Sequence, residues 1–94
     1  MKIRWTKRAI RSLASIHAFI SQDSPSVAAR VTAAIMDATD RLELFPQSGR
    51  PGRIAETREL VIPGLPYIIP YRVMDDVVVL LSVIHTSRKW PKKL

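Results

Sequence analysis

The sequence predicts an α+β domain: an N-terminal strand and an antiparallel two-helix hairpin, packed on one face of a small antiparallel β-sheet. Three observations predict it. Apolar residues recur at helical spacing from about residue 7 to residue 42, and a single "QDSP" break divides that run. Beyond Thr57 the chain turns to β-branched and aromatic segments separated by turn signals. The implied order is β-α-α-β-β-β, with the second sheet face open or concave.

Residues 2–5, "KIRW", alternate polar and apolar and end before Thr6, so they read as a short strand followed by a helix N-cap. Ile10, Leu13, Ala14, His17 and Ile20 then share one helical face, away from Lys7, Arg8, Arg11 and Ser15. His17 in that stripe reads as a packing histidine rather than a catalyst. In "QDSPSVAARV" Ser24 is placed as an N-cap and Pro25 at the first helical position, where a missing N–H costs nothing. Val27, Val31, Ala34, Ile35, Ala38 and Leu42 form the second apolar face, whose alanines allow a neighbouring helix to approach closely. So short a break makes the pair an antiparallel hairpin.

"LFPQSGRPG" closes the second helix at Pro46 and opens a loop carrying Arg50, Arg53 and Arg58. "RELVI", "YIIPYRV" and "VVVLLSVI" follow as three antiparallel strands divided by "PGLP" and "MDD". Pro70 cannot donate to a ladder, which predicts a local irregularity. "HTSRKWPKKL" ends the chain as a basic tail over about residues 86–94, expected to be short and partly loose.

Ninety-four residues allow one hydrophobic core, hence a single domain over 1–94. No apolar run approaches the ~20 residues of a membrane helix, and "MKIRWTKRAIRSL" has no apolar h-region, so a cytoplasmic protein is expected. Cysteine is absent, and His17 and His85 have no partner at metal-ligand spacing. Neither metal nor cofactor is expected. Ten arginines and five lysines against eight acidic residues give +7. Arginine-rich charge of this kind suits nucleic acid or an acidic protein, against the plainer alternative of charge serving solubility.

The ordered segments "GRPGR…TREL…PYIIPYRV…VIH", with "R.WP" after them, resemble the RelE/ParE superfamily of toxins from bacterial type II toxin–antitoxin modules over nearly the whole chain. The resemblance implies a toxin held by a cognate antitoxin. It also implies one of two targets: mRNA on the ribosome, cut by a metal-independent endonuclease of the RelE type, or DNA gyrase, inhibited by a ParE type without chemistry of its own. The endonuclease reading is put first because basic groups lie on the sheet; a toxin fold that has lost activity is a third reading.

Metal-free RNA cleavage needs an acid, a base and cations around the scissile phosphate. By resemblance, Arg58 opening the second strand of the hairpin region and Arg72 on the next strand are candidates to clamp the phosphate, and His85 to act as general acid. Arg50, Arg53, Arg88, Lys89 and Trp90 are candidates to bind the RNA backbone or a base. Each has a structural alternative: Arg72 pairing with Glu59, Arg58 pairing with Glu56 or Asp75, His85 bonding the tail backbone, Trp90 covering the core edge. No residue stands out as the general base; Glu56 and Glu59 are uncommitted candidates. The endonuclease reading requires the guanidiniums of Arg53, Arg58 and Arg72 to converge on one patch.

Overall fold

The computed structural model describes residues 1–94. It contains β1 (Lys2–Trp5), α1 (Lys7–Ser21), α2 (Pro25–Asp40), a 3-10 turn (Arg41–Glu43), β2 (Arg50–Pro51), β3 (Arg58–Val61), β4 (Tyr67–Met74), β5 (Val77–Leu80) and β6 (Ile84–His85). The sheet order is β1-β5-β4-β3-β2, with β6 beside the first half of β4. The α+β class holds, with one correction: β1 runs parallel to β5, from Lys2 opposite Val77 to Trp5 opposite Leu80, so the sheet is mixed. The helices carry the chain from one edge of the sheet to the other. The meander of β3, β4 and β5 then returns, and its last strand arrives beside β1 in the same direction.

Both helices start where the capping residues place them. The Thr6 hydroxyl accepts from Ala9 N at 3.1 Å, and it also lies 2.9 Å from Leu80 O and 3.2 Å from Leu81 O, so this cap ties α1 to the end of β5. Ser24 accepts from Val27 N at 3.3 Å. On α2 the expected face turns inward, with Ile35 and Ala38 buried, Leu42 buried just beyond them and Val27, Val31 and Ala34 half-buried; Ala28, not expected there, is buried too. On α1 the expected face is shifted. Ala9 and Ile16 are buried and Leu13 and Ile20 half-buried, whereas Ile10, Ala14 and His17 are exposed. Ser12 misled the periodicity: it sits on the inner side, donating to Ala9 O at 3.0 Å and accepting from Val83 N at 2.9 Å. A polar residue therefore occupies the packed face, and apolar Ile10 is left outside.

Side chains alternate along β4. Tyr67, Ile69 and Tyr71 enter the core with Val78 and Leu80 of β5, against Ile16, Ile35 and Leu42 from the helical side. Ile68, Pro70 and Arg72 take the opposite face. The irregularity expected at Pro70 is a bulge. Tyr71 faces Leu80 but Ile68 faces Ile84, so two residues of β4 stand opposite three of the partner strand. Pro70 O accepts from Leu81 N at 2.9 Å, and the N–H that would point the same way does not exist. For this reason the expected continuous strand 77–84 is split into β5 and β6.

The second face is not open along its length. Ile68, Pro70, Val79 and Ile84 on it are buried. The tail, expected to be loose, is tied down: Thr86 N donates to Pro66 O at 2.9 Å, and Arg8 Nη1 donates to Lys93 O at 3.0 Å. Trp90 packs under the Arg53 guanidinium, 3.7 Å from ring centroid to carbon.

Candidate functional site

The arginine loop is organised by one buried carboxylate. Glu59 is 3% exposed and meets Arg50 through Nε at 3.0 Å and Nη2 at 2.9 Å, and Arg53 through its backbone N at 2.8 Å and Nε at 3.2 Å. The cross-strand register puts Arg50 directly opposite Glu59. Burial pushes the Glu59 carboxyl up, but the hydrogen bonds from Arg53 and Arg50 and the Arg53 charge outweigh it and hold the carboxyl below its ordinary value. Arg50 and Arg53, expected to reach for phosphates, are thus engaged within the chain.

Arg58 and Arg72 do not meet. Arg58 pairs with Tyr71, and Arg72 is the next residue along, so the two side chains leave opposite faces of the sheet. Arg58 Nη1 donates to Gly49 O at 2.7 Å and Gln47 O at 3.2 Å, bracing the loop before β2 rather than pairing with Glu56 or Asp75. Beside it the buried Tyr71 hydroxyl donates to Pro46 O at 2.8 Å and accepts from Gly49 N at 2.9 Å. Gly49 has to be glycine here, because a Cβ would stand 2.5 Å from that hydroxyl. Burial raises the Tyr71 phenol, against the smaller opposing effects of the Gly49 hydrogen bond and the Arg58 charge.

On the other face Arg72 has no ion pair, since both salt bridges of the chain belong to Glu59. Its buried Nε has no hydrogen-bond partner. The cross-strand register sets Arg72 and Arg4 on either side of Val79. The expected convergence of Arg53, Arg58 and Arg72 fails at Arg58, which leaves the other face; Arg53 is held by Glu59, whose place opposite Pro70 puts it on the face that carries Arg72. Arg4 was not singled out in the sequence because its place beside Arg72 depends on the parallel pairing of β1 with β5.

The other candidates do meet. A cleft of about 530 Å³ lies between α1 and the tail, with Tyr67, Ser82 and His85 among the residues lining it. Arg8 from α1 and Arg88 and Lys89 from the tail line it with His85, and no carboxylate does. Phe19, 68% exposed, also lines it. His85 stands edge-on to Tyr67, with ring centroids 5.4 Å apart. Its Nδ1 accepts from Ser87 N at 3.1 Å and lies 2.7 Å from Ser87 Oγ, so Nε2 carries the proton of the neutral ring. Arg8 was read as a solvent-face residue of its helix; only the folded tail makes it part of a site. A second surface, an apolar groove of about 610 Å³, runs between the helices past Trp5, Ile10, Leu13 and Met36. No group of three or more His, Cys, Asp or Glu side chains is placed to hold a metal ion, and no helix is long and apolar enough to cross a membrane.

Residues 3–90 match the family model of the ParE toxin of the type II toxin–antitoxin system parDE. This chain belongs to the ParE toxin family. Among its relatives is Y4kP of Sinorhizobium fredii, a protein named as a toxin, which is 54% identical over 99% of this chain and 96% of its own length. Toxin RelE2 of Caulobacter vibrioides is 37% identical over 93% of this chain and 97% of its own. A solved structure titled as a chromosomal ParDE toxin–antitoxin system from P. aeruginosa superposes with a TM-score of 0.83 over 93% of this chain and 97% of that one. At 22% identity that likeness speaks for the shared fold. The chain is thus a type II toxin of the RelE/ParE superfamily, and membership of such a module implies an antitoxin partner.

Proposed function

We propose that this ParE-family toxin arrests growth by binding DNA gyrase, without bond-breaking chemistry of its own. The observation that carries the reading is the separation of Arg58 from Arg72 on opposite sheet faces, with Arg58 braced on loop carbonyls. A phosphate clamp needs both cations to reach the same phosphate, which side chains leaving opposite faces of one sheet do not do. The family match to ParE toxins supports the same reading. The antitoxin restrains the toxin by covering the apolar groove of the helical hairpin around Ile10, Leu13 and Met36, where large apolar side chains lie exposed.

One observation favours the endonuclease reading: His85 shares its cleft with Arg8, Arg88 and Lys89. A paired experiment decides. The chain and its His85→Ala and Arg72→Ala variants are induced in cells, scoring growth, DNA damage signalling and ribosome-bound transcripts, and the purified chain is added to gyrase supercoiling assays. The gyrase reading predicts inhibited supercoiling, intact transcripts and toxicity of both variants within about twofold of the parent. Transcripts cut at codon boundaries, together with loss of toxicity in His85→Ala, would overturn it in favour of ribosome-dependent mRNA cleavage.

A further inference from the structure

We infer that the outer face of the helical hairpin is a self-association surface, on which a second copy of this chain docks across a two-fold axis running along the groove between α1 and α2. The inference is independent of which target the toxin poisons, and it gives the antitoxin a competitor for the same groove.

The charges on this face come first. Lys7 and Arg8 open α1, whose first turn holds no acidic residue; Asp37 and Asp40 close α2, whose last turn holds no basic one. Each sign stands at the wrong end of its helix, since a helix N-terminus carries a partial positive charge and a C-terminus a partial negative one. The antiparallel hairpin brings these two ends side by side, with Lys7 and Arg11 along one rim of the groove and Asp37 and Asp40 along the other. Even so, no ion pair joins the rims, because both salt bridges of the chain belong to Glu59. All four side chains are exposed. Charges set against their own helices and left unpaired by their neighbours gain an opposite charge only from another molecule.

The two rims decide which molecule. A uniformly acidic segment suits Lys7 and Arg11 but is repelled by Asp37 and Asp40, whereas a second copy offers the matching sign on both sides. With the two-fold axis parallel to the helices, α1 of one copy lies antiparallel over α2 of the other. Along the outward ridges Lys7 then stands over Asp40 of the second copy, Arg11 over its Met36 and Asp37, Ala14 over its Ala33 and Ala18 over its Ala29. Base meets acid at one end; at the other, alanine meets alanine, where backbones approach closely. Ile10, 55% exposed, and Met36, 37% exposed, come together near the axis and leave water together. The strength follows from the size of the face. α1 has 15 residues and is about 22 Å long, and two helices side by side are about 20 Å wide, so each copy offers roughly 400 Å². That is about half the ~800 Å² per partner of a stable complex, so the dimer is a reversible one that an antitoxin displaces. The net charge of +7 also opposes it. At 0.15 M salt, charges more than about 8 Å apart are largely screened, while the facing rims remain within reach of each other.

The test is sedimentation velocity of the full-length chain from about 1 to about 500 μM at 0.15 M salt, beside two charge-reversed variants, Lys7→Glu/Arg11→Glu and Asp37→Lys/Asp40→Lys. The reversals at the helix ends suit the dipoles better than the parent residues, and circular dichroism will establish that both variants fold. The parent is expected to pair with a midpoint of roughly 10–100 μM. Each variant alone should pair at least tenfold more weakly. An equimolar mixture of the two should pair as tightly as the parent or more so, because one copy then carries acid on both rims and the other carries base on both. A parent that stays monomeric over the whole range would overturn the inference and leave the groove to the antitoxin alone. Variants that each pair like the parent, or a mixture that stays apart, would overturn it as well.

Discussion

Glu59 sets one negative charge between two guanidiniums, and the arrangement fixes the conformation of the loop from Gly49 to Arg53. Its carboxyl is held below the ordinary glutamate value near 4.5, so the ionised form is favoured in the folded chain. The stabilisation is whole above that ordinary value and is lost as pH falls through the lowered one. Glu59→Gln should therefore cost about 1 kcal/mol at pH 7, a modest figure because both guanidiniums are half exposed and water replaces part of the pairing. Urea denaturation of parent and variant at pH 7 and again below pH 4 measures it: the gap should narrow in acid, and a gap that widened would contradict the account. This network was only partly legible in the sequence. The cluster of arginines was visible, and so was the presence of Glu59, but their pairing depends on the two-residue strand β2, too short to leave a periodic signal. Glu59 was instead matched with Arg72, which the structure leaves unpaired.

Local signals written within a few residues of each other survived into the structure: Thr6 and Ser24 cap the helices, and Pro70 breaks the ladder. Features joining distant segments did not show, because nothing near "KIRW" specifies that it lies parallel to β5, and nothing within "HTSRKWPKKL" specifies Arg53 and Arg8 as its anchors. The basic cleft was half legible for the same reason: His85, Arg88 and Lys89 are neighbours in sequence, while Arg8 joins them only through the fold. The two caps allow a comparison at this scale. Thr6 serves both the first turn of α1 and the carbonyls closing β5, whereas Ser24 is partly exposed and makes only long bonds within its own helix, to Val27 N at 3.3 Å and Ser26 Oγ at 3.2 Å. Thr6→Ala is expected to lower unfolding free energy by about 1–2 kcal/mol, Thr6→Ser to recover most of it, and Ser24→Ala to cost about 0.5 kcal/mol. Chemical denaturation of the three variants checks the order; equal losses for Thr6→Ala and Ser24→Ala would show that the Thr6 bonds to the sheet contribute nothing.

The whole molecule carries +7 on 94 residues, and its two ion pairs share one carboxylate, so most of its positive charge faces no counter-charge within the chain. Such a surface suits an acidic partner, because charge complementarity speeds encounter and holds register. It also strains the isolated fold. Unfolding separates like charges and lowers their mutual repulsion, so in the native state self-repulsion opposes compaction. Added salt screens that repulsion over a Debye length that shortens from about 14 Å at 0.05 M to about 4 Å at 0.5 M. Screening also weakens the Glu59 pairs, but these are two contacts around a buried group, whereas the repulsion sums over the entire surface. The repulsive contribution should win: between 0.05 and 0.5 M sodium chloride the midpoint of thermal unfolding is expected to rise by about 4–8 °C, the equivalent of roughly 1 kcal/mol in a domain of this size. A melting temperature that fell with salt would mean that ion pairs, and not unbalanced charge, dominate the electrostatics of this fold.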